Sequence, residues 1–255
     1  MAWMVFGVTL VIRWVAGDGG MLAAEMLRAA PPEVSGLPEK DYAGVGTMTA
    51  EFLCGKRAEF QYVAAAEDPN GVCRRQEVFQ AHEAAHMADC RRLIALDGWV
   101  CAGSLAVCAL CCAAGLLYRC RGENKREVLR ESETQEGPGS QKACESRKSF
   151  LQGTLCGMAA FAGIAAFLGI WAVIDFDGLF VTFHRVAFPQ GGWVLDPRTD
   201  LLIRLMPVSF FVRLGVRGLA RFGVFALVTV LGVTAALRRS RRLAVSDSQV
   251  SDFGV

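Results

Sequence analysis

Charge is what long parts of this sequence lack. Residues 98–118 and 150–174 contain no Asp, Glu, Lys or Arg over 21 and 25 consecutive positions. A soluble core helix keeps a polar face, and runs this long exclude one. About 18–20 apolar residues suffice to cross a hydrocarbon core of about 30 Å, so both runs read as membrane spans. Net charge is also scarce, at +2, which is too little to attract nucleic acid. The first 16 residues lack a basic leader and a small-residue cleavage site, which argues against a secretory signal. No internal repeat is present. The ten cysteines lack the spacing of a disulfide or zinc framework. Cys101, Cys108, Cys111, Cys112 and Cys156 fall inside expected spans, and Cys120 and Cys144 fall in an inner loop. That leaves Cys54, Cys73 and Cys90 outside, an odd number.

Two further apolar blocks are present. Residues 1–16 are apolar except for Arg13, and at about 1.5 Å per residue they make a short span of about 24 Å. Residues 222–237 become a full span if it starts at 214, with Arg217 and Arg221 snorkelling to the interface. Basic residues near span ends mark the cytoplasmic side. Arg119, Arg121, Arg147 and Lys148 edge the loop between the second and third spans, and Arg238, Arg239, Arg241 and Arg242 follow the fourth. The expected protein is an all-α integral membrane protein with four transmembrane helices, at 1–16, 98–118, 150–174 and 214–237. A small extracytoplasmic cap comes from two outer segments, 17–97 and 175–213. Residues 119–149 are a flexible cytoplasmic loop, without apolar periodicity, and 238–255 a cytoplasmic tail. Within the first outer segment, residues 41–53 and 76–96 carry helical apolar spacing.

This topology puts all three histidines outside. His82-Glu83-Ala84-Ala85-His86 fits H-E-x-x-H, in which two imidazoles one helical turn apart bind zinc and the glutamate acts as base. His184 is the available third ligand, so a zinc-dependent membrane metalloprotease is one reading. Asp89 lies three residues beyond His86, close enough on a helix to orient it and raise its basicity. The stretch from Phe183 to Phe211 is rich in aromatics and turn residues and holds His184, Asp196 and Asp200. Its plainest reading is an interfacial aromatic belt with capped loops, which suits a non-enzymatic membrane protein equally.

Taken together, the two outer segments resemble the lipoprotein intramolecular transacylase family of bacterial membrane enzymes. The resemblance rests on Glu83-x-x-His86-Met87-x-Asp89 ahead of the second span. It rests also on Phe183-His184, Phe188, Trp193, Leu195-Asp196-Pro197, Asp200, Leu202-Ile203, Pro207 and Phe210-Phe211 ahead of the fourth. The stretch from Asp41-Tyr42 to Phe52-Leu53 is similar to the family's tyrosine-containing outer helix. Gly191-Gly192 before the tryptophan, and Val208 after the proline, depart from the family pattern.

The resemblance implies acyl transfer from the sn-2 ester of a diacylglyceryl-cysteine to the α-amino group of the same cysteine, leaving a lyso-form lipoprotein. It implies His86 and His184 as the catalytic pair, without deciding which is base and which acid. The partners are then a diacylated lipoprotein and membrane lipid, in a bacterial cytoplasmic membrane, with no cofactor or metal. Asp89, Arg185, Asp196 and Arg198 are supporting candidates for orienting the pair or stabilising the oxyanion. No G-x-S-x-G elbow occurs in the outer segments. None is needed when nucleophile and ester belong to one molecule.

Overall fold

The computed structural model describes residues 1–67, 73–130 and 159–252. It is helical nearly throughout. The elements are α1 (Ala2–Gly17), α2 (Gly19–Ala29), α3 (Pro32–Ser35), α4 (Glu39–Leu53), β1 (Val63–Glu67), β2 (Cys73–Glu77), α5 (Ala81–Arg130), α6 (Ala159–Ile174), α7 (Phe176–Ala187), α8 (Leu201–Leu205) and α9 (Val208–Asp252). Among the described residues, α5 (through Ala81–Gly115) and α9 (through Val208–Gly232) are each long and apolar enough to cross a membrane. α1 and α2 pass that test together but are bent by 73°, and α6 is a shorter apolar helix. Val224, Leu227 and Val228 on α9 stay exposed, as side chains that face lipid do.

The bend after α1 follows from Gly17-Asp18-Gly19-Gly20. Glycine weakens the helix interior, and the Asp18 carboxylate accepts the Met21 N–H at 2.9 Å, starting α2 as an N-cap. α2 then packs on α4 through glycine. A Cβ at Gly46 would lie 2.4 Å from the Gly19 carbonyl oxygen, so any side chain there would push the two helices apart. This fold-back also changes the role of two arginines. Instead of reaching for the interface alone, Arg217 bonds Glu25 (Nε to Oε1, 2.6 Å) and Arg221 pairs with Asp18 at 3.2 Å. Glu25 is 1% exposed, and its burial is tolerable because Arg217 and Arg28, the latter at 2.8 Å, both pair with it.

Three local expectations change. Residues 76–80 are not helical: Cys73–Glu77 is a strand paired antiparallel with Val63–Glu67, with Val63 opposite Glu77. The alanines of β1 and the arginines of β2 carry no alternating pattern to betray it. α5 also begins late, at Ala81, where the Glu83 carboxylate accepts the Gln80 N–H at 2.6 Å as half of a capping box. Finally, α5 continues to Arg130, so residues 119–130 of the expected linker are helical, being rich in Glu, Lys, Arg and Leu. The tail is likewise helical to Asp252. Residues 131–149, and 150–158 of the third expected span, lie outside the described residues.

The core sits in the cap. Met26, Tyr42, Val45, Met48, Phe52, Phe60, Phe79, Met87, Leu201, Leu202, Leu205 and Phe210 form one buried cluster. It joins both outer segments.

Candidate active site

His86 stands in the second turn of α5, and His184 three residues before the end of α7. The fold brings them together, with ring centroids 5.9 Å apart and planes 33° from parallel. Both are buried, at 9% and 7% exposure. Aromatic rings close around them: Phe180 lies 4.1 Å from His184, Trp193 5.2 Å, Phe183 5.4 Å and Phe188 5.6 Å, while Phe188 is 5.0 Å from His86. Helical spacing produces this box in part. Phe180 and His184 are one turn apart on α7, as are His86 and Cys90 on α5.

His184 Nδ1 sits 2.8 Å from the Phe180 carbonyl. A carbonyl only accepts, so Nδ1 carries the proton and Nε2 of the neutral ring keeps its lone pair. His86 Nε2 lies 3.7 Å from Cys90 Sγ. Burial pushes the Cys90 thiol up to about 12, so it remains S–H and not a thiolate nucleophile. Burial also lowers the pKa of both histidines. Neighbouring His184 lowers His86 further, Asp89 partly opposes this, and the Phe180 carbonyl partly opposes it at His184. Burial wins at both. The pair is therefore neutral at neutral pH, and the neutral form persists below the ordinary imidazole value of 6.5. The acid limb of kcat/KM is expected below pH 6.5, as a pH–rate profile at fixed ionic strength will read. A limb above that value would contradict the burial-lowered pKa of the pair.

The supporting candidates lie elsewhere than expected. Asp89 makes no hydrogen bond to His86. Its oxygens accept from Arg92 Nη1 at 2.8 Å and from Gln190 Nε2 at 3.0 Å, so it acts on His86 only through space. Its side chain leans along the helix to Arg92, three residues on, away from direct contact with the ring. Asp196 and Arg198 bond one another at 3.1–3.2 Å on a turn, with Arg198 88% exposed. That pairing holds the Asp196 carboxyl below its usual range. Arg185 is exposed on the last turn of α7.

The H-E-x-x-H residues are engaged separately. His82 Nε2 is 3.0 Å from Asp200 Oδ2, and that bond raises the His82 pKa. Glu83, with 0% exposure, accepts the Gln80 N–H on one oxygen and the Leu202 N–H on the other, each at 2.6 Å. Glu83 is thus spent on backbone donors and His82 on Asp200. Among the described residues no three His, Cys, Asp or Glu side chains converge as a cation site. Sequence reasoning gave Glu83 a zinc role and missed its structural one. Position N3 of a helix was the available signal. Gln190 gave no signal.

The family model described as lipoprotein intramolecular transacylase Lit matches residues 1–211, which contain both histidines. Among solved structures, the in meso structure of the membrane-integral lipoprotein intramolecular transacylase Lit from Bacillus cereus is similar, with a TM-score of 0.52. The match covers 92% of this chain and 96% of that one at 15% identity, which makes it a likeness of fold. No curated protein matches the sequence.

Proposed function

We infer the reaction from one premise: this chain belongs to the lipoprotein intramolecular transacylase family and is therefore a membrane-integral acyltransferase. Its substrate is a lipoprotein whose N-terminal cysteine carries a diacylglyceryl group. The enzyme moves the sn-2 acyl chain onto that cysteine's α-amino group. The supporting observation is a pair of buried histidines inside an aromatic box, with one imidazole tautomer fixed by a backbone carbonyl.

His184 is the base. Its Nε2 takes a proton from the α-ammonium, and the freed amine attacks the sn-2 carbonyl carbon. A C–N bond forms, the tetrahedral intermediate collapses, and the bond to the glycerol oxygen breaks. His86, neutral at rest, takes that proton on from His184 and delivers it to the glycerol oxygen. Of the two protons the nitrogen loses, one ends on the glycerol hydroxyl and the other passes through the pair to solvent. Burial serves this chemistry twice, keeping both rings neutral at rest and strengthening the electrostatics that act on the intermediate. The box supplies orientation, since amine and ester already share a molecule.

The chain sits in the cytoplasmic membrane on four spans, with the cap outside, where mature lipoproteins present their N-termini, and both ends inside. Incubation of the purified protein with a synthetic diacylated lipopeptide tests the reaction. Total mass is expected to stay constant while fragment ions show one acyl chain moved from glycerol to nitrogen. Fragment ions unchanged after prolonged incubation would count against the assignment.

A further inference from the structure

We propose that residues 189–194 form a strap over the histidine pair, hinged at Gly191-Gly192 and latched by Gln190 on Asp89, and that Gln190 and Asp89 are positioning residues. This rests on the reaction assigned above and adds how its substrate gains entry. With His86 and His184 at 9% and 7% exposure, a two-chain lipid anchor cannot reach them unless a neighbour moves. Phe188 is 2% exposed and the Phe180 ring packs, tilted, 5.0 Å from Phe211 of α9, so both are held by the cap. Trp193 is different: it is half-buried, 5.2 Å from His184, and carried on a loop.

The ends of that loop are anchored. Phe188 is buried before it; after it, Leu195 packs against the cap core and the Asp196 N–H bonds Asp200 at 2.9 Å. Between them, Gly191 and Gly192 both have φ of +82°, with nothing within 4 Å of a Cβ built on either. Two adjacent glycines in the left-handed region, in open space, give the backbone freedom to swing without a clash. Among the described residues, the one side-chain hydrogen bond from this loop to α5 is Gln190 Nε2–H to Asp89 Oδ2, at 3.0 Å. Asp89 is braced in turn by Arg92 at 2.8 Å. The Gly191 N–H bonds the Phe188 carbonyl at 3.0 Å and closes the turn that carries Gln190. Opening therefore breaks the one side-chain bond to α5 and swings Trp193 off His184 about the glycine backbone that follows. Closing it restores the box around the bound anchor.

The test inverts the latch and then repairs it, in full-length protein in lipid nanodiscs. Gln190→Glu sets a carboxylate against Asp89, and adding Asp89→Asn supplies an amide that donates to it. Aqueous iodide quenching of Trp193, taken as the difference from a matched Trp193→Phe protein, reads the strap without substrate. Gln190→Glu is expected to raise that quenching and to lower kcat/KM for diacylated lipopeptide about tenfold or more, the worth of one charge-assisted hydrogen bond. The double substitution is expected to reverse both. Unchanged quenching in Gln190→Glu overturns the latch, as does an opened strap that Asp89→Asn fails to reclose. Opening with kcat/KM intact overturns the need to close the box over the bound anchor. If the wild-type protein moves no acyl chain, the assigned reaction falls, and quenching decides the strap alone.

Discussion

Replacing His184 with alanine is expected to slow N-acylation of a diacylated lipopeptide about 10²–10⁴-fold, the usual cost of losing one positioned general base. The fixed tautomer sharpens this expectation. The Phe180 carbonyl holds the Nδ1 proton, so Nε2 is the atom left free to act as the proposed base, while His86, 5.9 Å away between ring centroids, is assigned to the leaving oxygen. His86→Ala is expected to fall in the same range by removing the proton donor. The double variant should be little worse than either, because the two groups act as one unit. His82→Ala should retain most of the activity, since its half-exposed ring serves the buried Asp200 and not the histidine pair. The measurement is initial rate by mass spectrometry at saturating lipopeptide. A His184→Ala rate within tenfold of wild type would falsify the assigned base.

The second large effect falls on stability. Glu83→Ala is expected to cost about 3 kcal/mol or more, because hydrogen bonds to a charged group contribute about 1.5–3 kcal/mol each and two are lost. The orphaned donors would be the Gln80 N–H at the start of α5 and the Leu202 N–H at the start of α8. These belong to different outer segments, so one carboxylate staples the cap together from the turn that precedes His86. Glu83→Gln keeps an acceptor for one of the two donors and should lie between wild type and Glu83→Ala. Thermal unfolding in detergent, followed by tryptophan fluorescence, gives the ranking. A loss below about 1 kcal/mol in Glu83→Ala would be no more than one ordinary neutral hydrogen bond and would remove the staple.

The membrane-embedded helical class was legible because hydrophobic length is a one-dimensional signal: an uncharged run of 21 or 25 residues has few other uses. The two catalytic candidates were legible only through the resemblance. Nothing local to Glu83-x-x-His86 or to Phe183-His184 says that positions 98 residues apart share a box. The hidden parts share a physical cause. β1 and β2 pair through backbone groups that residue type barely reports. The partners of Arg217 and Arg221 depend on the 73° turn after α1, which sets the course of α2. Asp89 misled for a related reason: helical spacing offered His86 and Arg92 equally, three residues to either side, and the arginine took the bond.

α5 is 50 residues long, about 75 Å at 1.5 Å per residue, far more than a bilayer requires. His86 rides on the same unbroken rod that crosses the lipid, with no loop between them to absorb movement. The height of that imidazole above the hydrocarbon is therefore governed by how the rod seats in the bilayer. Bilayer thickness and helix tilt, which trade against each other under hydrophobic mismatch, thus set the depth at which a lipid ester must present itself. On the proposed reaction, the membrane is part of the ruler that aligns substrate with catalyst.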